Sequence, residues 1–110
     1  MAEHQLKLLG GFSLTRRDGT ACLSLGRKDR LLLARLAMGT GKPLSREKLC
    51  AFLWGDRGED QARASLRQSL SILRQELGEA IVSDKQTARL DPSLILVDVH
   101  SFTQTIDPFE

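Results

Sequence analysis

Residues 60–78 read DQARASLRQSLSILRQELG, from Asp60 to Gly78, and the direction in which each of these side chains points decides what the chain builds. Ala62, Leu66, Leu70, Leu73 and Leu77 recur at spacings of 4, 4, 3 and 4, the period of a helix buried along one stripe. Successive helical residues turn by roughly 100°. With Leu66 taken as inward, the apolar stripe stays within about 40° of it, and Arg63, Arg67 and Arg74 gather at about 60–100°, a column along one flank. Ala64, Gln68, Ser71 and Gln75 point away from the core, while Ser65 and Ile72 lie on the opposite flank. Serines at 65, 69 and 71 cost helix propensity, which points to a demand other than helix stability.

The segments around this helix decide its role. Upstream, RKDRLLLARLAMGTG (27–41) is apolar on nearly every side and predicts a central, buried helix stopped by Gly39 and Gly41. KPLS (42–45) is long enough only for a brief extended link, and Ser45 then caps a second helix, REKLCAFLW, with Leu49, Phe52 and Leu53 as its inward stripe. GDRGED (55–60) is the loop between helices, its Glu59 and Asp60 suited to a helix N-terminus. Downstream, AIVS and TARLD flank DKQ as a short hairpin, and SLILVD (93–98) is a further extended piece. At the start, Leu6, Leu8, Phe12 and Leu14 share parity, which fits either a strand pair or one strand bulged at Gly10–Gly11. RRDGT (16–20) is a turn, and Ala21 to Leu25 alternate as a second strand. The expected fold is α+β: an N-terminal antiparallel sheet, three helices and a C-terminal β-hairpin wing, the layout of a winged helix-turn-helix.

Length and charge are consistent with one domain. The chain has 110 residues, 41% hydrophobic and 27% charged, values of a globular protein. Residues 1–97 hold all 16 Lys/Arg against 11 acids, a net of +5, while the last thirteen residues hold three acids and no Lys/Arg. A mildly basic body suits a polyanion without singling one out. Cys22 and Cys50 stand apart without metal or redox spacing, and His4 and His100 lie at opposite ends. Two buried or inert thiols and the absence of any membrane-length apolar run fit a cytoplasmic setting. No nucleophile–base pair, metal cluster or phosphate loop is present. GTGKPLS at 39–45 is too short for a phosphate loop and lacks the strand before it. No enzyme, cofactor, catalytic residue, metal or small-molecule ligand is expected.

The outward face of the third helix suits a DNA major groove, which admits a helix only if its leading face comes close to the base edges. Ala64, Ser65 and Ser71 are short, Gln68 can pair with adenine, and the arginines reach phosphate or guanine. Lys85 and Arg89 on the hairpin are placed to touch a neighbouring phosphate or the minor groove, and Arg46 with the first amides of the second helix can hold another. On the bland reading the same Arg/Gln/Ser face is ordinary solvated surface. The competing functional reading is a protein-interaction module that keeps the winged-helix architecture and uses its surface to dock RNA polymerase or another regulator.

The motifs LKLLGGFSLTRRDGT, GRKDRLLLARLA, KPLSREKLCAFLWGD and QARASLRQSLSILRQELG, in that order over roughly residues 5–100, resemble the N-terminal DNA-binding domain of the Streptomyces antibiotic regulatory protein family of transcriptional activators. More broadly they are similar to OmpR/PhoB-type effector domains. Leu9-Gly10 with Phe12, Ser45-Arg46-Glu47 with Leu49, Leu53-Trp54, Ala62-Arg63, Leu66-Arg67 and Leu73-Arg74 carry the resemblance. It implies a third helix (about 60–77) reading the major groove at direct-repeat promoter sites, with a wing (about 80–91) on the adjacent groove. It also implies that Gly55, Asp56, Arg57, Gly58 and Glu59 face RNA polymerase, that Arg74 grips phosphate, and that Gln68, Ser71 and Ile72 face bases. Ile72 departs from the basic residue common in the response regulators. The bacterial activator so implied is cytoplasmic and nucleoid-associated, bound to double-stranded promoter DNA and compatible with a dimer there. Residues 1–97 form its DNA-binding domain. Residues 98–110, DVHSFTQTIDPFE, resemble the opening of a linker or a helical activation domain.

Overall fold

A computed structural model of the protein describes residues 4–8, 11–21 and 25–98. The opening motif is a strand pair: β1 (His4–Lys7) and β2 (Ser13–Arg16) run antiparallel, with Leu6 opposite Leu14. Both leucines are buried, and Leu8 and Phe12 pack against the core from the ends of the strands. The turn forms as expected: Gly19 takes a φ of +92°, and the Asp18 carboxylate accepts from the Thr20 amide and hydroxyl at 3.0 and 2.7 Å. Of the strand expected over Ala21 to Leu25, Ala21 forms a single antiparallel bridge to Thr15. Leu9, Gly10, Cys22 and Leu23 lie outside the described residues, as does the tail beyond Asp98 with His100.

Three helices follow: α1 (Arg27–Met38), α2 (Arg46–Trp54) and α3 (Glu59–Leu77). Helix α1 is less enclosed than its composition predicts. Leu32, Leu33, Leu36 and Ala37 are buried, while Leu31 and Met38 are exposed on the far side. Apolar composition therefore overstates the burial of α1, because only one of its faces meets α3, α2 and the wing strand over residues 87–90. In α2 the expected stripe of Leu49, Phe52 and Leu53 is corrected to Leu49, Cys50, Leu53 and Trp54, with Phe52 64% exposed. The helix is rotated so that the Cys50 and Trp54 side turns inward. Lys28 on α1 holds that orientation: its ammonium lies 6.0 Å from the centre of the Trp54 ring and donates to the Leu53 carbonyl. Burial pushes the Cys50 thiol pKa up, as expected of a cysteine that serves as a small core residue.

Helix α3 buries the ridge its period predicts: Ala62, Leu66, Leu70, Leu73 and Leu77 are all inside. Glu59 and Asp60 occupy its first turn, where the positive end of the helix dipole favours them. Gly78 ends it at φ +57° and ψ −127°, a conformation open essentially to glycine. Ser69 is buried as well, and its hydroxyl donates to Asp29 Oδ1 at 2.5 Å. Asp29 Oδ2 in turn accepts from the Gly26 amide at 3.1 Å, so one carboxylate caps α1 and ties it to α3. For Ser69 the demand other than helix stability is thus met inside the fold, by a polar contact to α1.

The wing forms as a hairpin, β4 (Ile81–Ser83) and β5 (Thr87–Leu90), reached from α3 through a single 3₁₀ turn at Gly78–Ala80. Two strand pairings were not visible in the sequence. The link over KPLS is a two-residue strand, β3 (Leu44–Ser45), which pairs antiparallel with Ala88 and Thr87 of β5, giving the sheet order β3-β5-β4. The last extended piece, β6 (Ile95–Val97), returns to the N-terminal sheet and lies parallel to β1, in the order β2-β1-β6. That sheet is therefore mixed rather than purely antiparallel. Such a parallel pair needs a long crossover, and here all three helices and the wing lie between its strands. Among the described residues, no helix is long and apolar enough to cross a membrane.

Candidate nucleic-acid interface

Because the leucine ridge of α3 is held inward, its opposite side is free. Arg63, Arg67, Arg74, Ala64, Gln68, Ser71 and Gln75 are all exposed. Ser65 and Ile72, on the other flank, are half-buried, and Ile72 packs against the core. The Ser65 hydroxyl accepts from Arg57 Nη1 at 3.1 Å, which ties the turn between α2 and α3 to the third helix. Arg63 forms an exposed i,i+4 pair with Glu59 at 3.4 Å, a weak contact in water that a polyanion can replace. Glu76 does not neutralise the arginine column. Its carboxylate faces the N-terminal sheet, accepting from Arg16 at 2.8 and 3.0 Å and lying 3.1 Å from His4 Nε2.

The wing is docked against both helices. Arg74 Nη2 donates to the Ser83 hydroxyl at 2.5 Å, and Arg46 Nη1 donates to the Asp84 carbonyl at 2.8 Å. Ser45 caps α2 by accepting from the Lys48 amide at 3.2 Å. At the wing's tip the Asp84 carboxylate accepts from the Gln86 and Thr87 amides, each at 2.7 Å, closing the turn that presents the exposed Lys85.

One groove runs between the start of α2, the arginine side of α3 and the wing, and it brings together Arg46, Arg63, Arg67, Arg74 and Lys85. From the α2–α3 turn, Gly55, Arg57 and Glu59 reach the same groove. Gln68 and Ser71 lie outside it on the leading face of α3, and Arg89 is half-buried on β5 opposite Val82. Ser83, the Asp84 carbonyl and the Arg57–Ser65 contact were not anticipated from sequence. The hairpin itself is expected from AIVS and TARLD flanking DKQ; its closure by Asp84 on its own downstream amides is a local bond of the kind aspartate makes in turns. Among the described residues, no group of three or more His, Cys, Asp or Glu side chains is placed to hold a metal ion.

Asp84 has its pKa lowered, first by the Gln86 amide, then by the Thr87 amide, with Arg46 contributing a smaller electrostatic pull. Asp18 and Asp91 are lowered likewise, chiefly through the hydroxyls of Thr20 and Ser93. A carboxylate with a depressed folded pKa stabilises the fold above its ordinary value of 3.8, and that contribution disappears as pH falls through the folded value. Acidification below about pH 4 is therefore expected to open these turns first. In an amide-exchange titration, Gln86 and Thr87 should lose protection while Leu66 and Leu70 of α3 keep theirs. Simultaneous loss at all four would count against local control by Asp84.

The family described as "Transcriptional regulatory protein, C terminal" matches residues 19–89. Among solved structures, the chain is similar to Mycobacterium tuberculosis EmbR in complex with a low-affinity phosphopeptide, at 26% identity and a TM-score of 0.69. That likeness covers 86% of this chain, which itself spans 27% of the EmbR chain. No curated protein matches.

Proposed function

Because the chain belongs to the transcriptional regulatory protein C-terminal family, the DNA-binding domain of transcriptional regulators, we propose that it binds a specific double-stranded promoter site with α3 in the major groove and the wing on the adjacent groove. The observation that carries this reading is the inward anchoring of Leu66, Leu70, Leu73 and Leu77, which leaves Gln68 and Ser71 forward and the arginine column beside them. Arg63, Arg67, Arg74 and Lys85 serve phosphates, which fix register, and Gln68, Ser71, Ser65 and Ile72 meet bases. Arg89 backs the wing. Residues 1–97 act as the domain, with 98–110 leading towards an activation domain. As an activator, the protein presents Gly55 to Glu59 to RNA polymerase, and two copies sit on a direct repeat.

In vitro selection of bound duplexes, followed by affinity measurement across salt concentrations, tests the reading. Enrichment of one motif is expected, with log affinity falling by about 0.9 per phosphate contacted for each unit of log salt. A random pool after repeated selection, with salt-independent retention, would reject it. A second reading, a module that docks protein, is favoured by Phe52, 64% exposed on α2 next to the α2–α3 turn. Elution from heparin at low salt would favour that alternative.

A further inference from the structure

We propose that Arg46 is a positioning residue for the wing, acting on DNA through Lys85 rather than by touching phosphate itself; the inference rests on the DNA-facing reading of the groove given above. The wing turn hangs from the first residue of α2 at two points. The Arg46 amide donates to the Gln86 carbonyl at 2.8 Å, and the Arg46 guanidinium donates to the Asp84 carbonyl at 2.8 Å. These are the peptide carbonyls on either side of Lys85, so one residue fixes both neighbours of the exposed lysine. The run before it completes the grip, because Ser45 and Leu44 pair with Thr87 and Ala88 of the returning strand.

An isolated two-stranded hairpin is marginal in water, and β3 adds only two residues of ladder. Without the Arg46 side chain, the tip keeps its own closure by Asp84 but loses its side-chain tie to the helical body on the α2 side. The tie on the other side, Arg74 to Ser83, comes from the helix that meets DNA. Arg46 therefore sets the distance between Lys85 and α3, and hence whether both reach phosphates of one duplex. The residue was expected from sequence to hold a phosphate. Its guanidinium is aimed at a backbone oxygen of the wing.

The test is a double-mutant cycle in the 110-residue chain on the selected duplex, comparing the parent, Arg46→Met, Lys85→Ala and the double variant by fluorescence anisotropy over a salt series. Methionine retains most of the stem and removes the donors. Lys85→Ala alone should weaken binding about fivefold and lower the salt slope by about 0.9. In the Arg46→Met background the same change should weaken binding less than about twofold, because the lysine is already out of place. Additive losses, with a slope lower by about 1.8 in the double variant, would make Arg46 a phosphate contact and overturn the proposal. Should Lys85→Ala leave the parent's affinity unchanged, the wing's place on DNA fails, and this inference with it. A readout without DNA separates the role from general damage. In Arg46→Met the amide at position 46, which donates to the Gln86 carbonyl, should exchange about fivefold faster, while the Gln86 and Thr87 amides held by Asp84 and those of Leu66 and Leu70 are unchanged. Unaltered exchange at position 46 also overturns the proposal.

Discussion

Replacing Arg67 and Arg74 together with alanine is expected to abolish retardation of the selected duplex while the domain stays folded. Both side chains are exposed and line the groove beside the wing, so neither is part of the core. Each charge-assisted contact to phosphate or guanine is worth roughly 1–3 kcal/mol, so the pair accounts for roughly 2–6 kcal/mol, a fall in affinity of about 30-fold to 10⁴-fold. The salt slope should drop by about two, since two counterions are no longer displaced. Arg74 also donates to Ser83, so its loss loosens the wing as well as removing a charge. Arg67→Ala alone isolates the helix contribution. Thermal unfolding of the double variant should remain within about 1 kcal/mol of the parent, the usual range for surface changes plus one exposed hydrogen bond. A folded double variant that binds as tightly as the parent would remove α3 from the interface.

The second large effect is on stability. Leu73 is 0% exposed in the middle of the α3 ridge, and Leu73→Ala is expected to cost about 2–5 kcal/mol through lost burial and the cavity left behind. A domain of this size holds only about 5–15 kcal/mol in total, and each kcal/mol is worth roughly 4–8 °C in Tm. A fall of more than about 10 °C is therefore expected. Gln68→Ala, five residues away on the opposite face and exposed, should shift stability by no more than about 0.5 kcal/mol while weakening DNA binding. The contrast is the informative measurement. Equal effects of the two substitutions on Tm would mean that α3 is not anchored by its leucine ridge.

The resemblance to the Streptomyces antibiotic regulatory proteins and to OmpR/PhoB-type effector domains holds, as does the α+β winged helix. Individual elements show why some features were legible and others were not. The α3 ridge was readable because a helix repeats every few residues, so its inward direction is written in local spacing. The Asp18-Gly19 turn and the Ser45 cap were readable for the same reason, since each is settled within four residues. Phe52 was misplaced because α2 is apolar over a wide arc, and the neighbours that choose a face, Lys28 among them, are distant in sequence. The exposure of Leu31 and Met38 is illegible in the sequence for want of the same information. The demand that Ser69 meets is hidden in the sequence because its partner, Asp29, lies forty positions away.

Sequence by itself determined the order of the elements, the inward ridge of α3, the hairpin after it and the cationic flank beside it. All of these follow from side-chain period, capping chemistry and turn residues that act over a few positions. Only the tertiary structure decided that Leu44–Ser45 is a strand of the wing, that Ile95–Val97 closes the first sheet in parallel with β1, and that Arg46 and Arg74 reach across to Asp84 and Ser83. Strand partners and long side-chain bonds form wherever chain closure brings matching donors and acceptors together. Sequence separation carries almost no record of that, so the groove in which the charges meet exists only once the whole chain has folded.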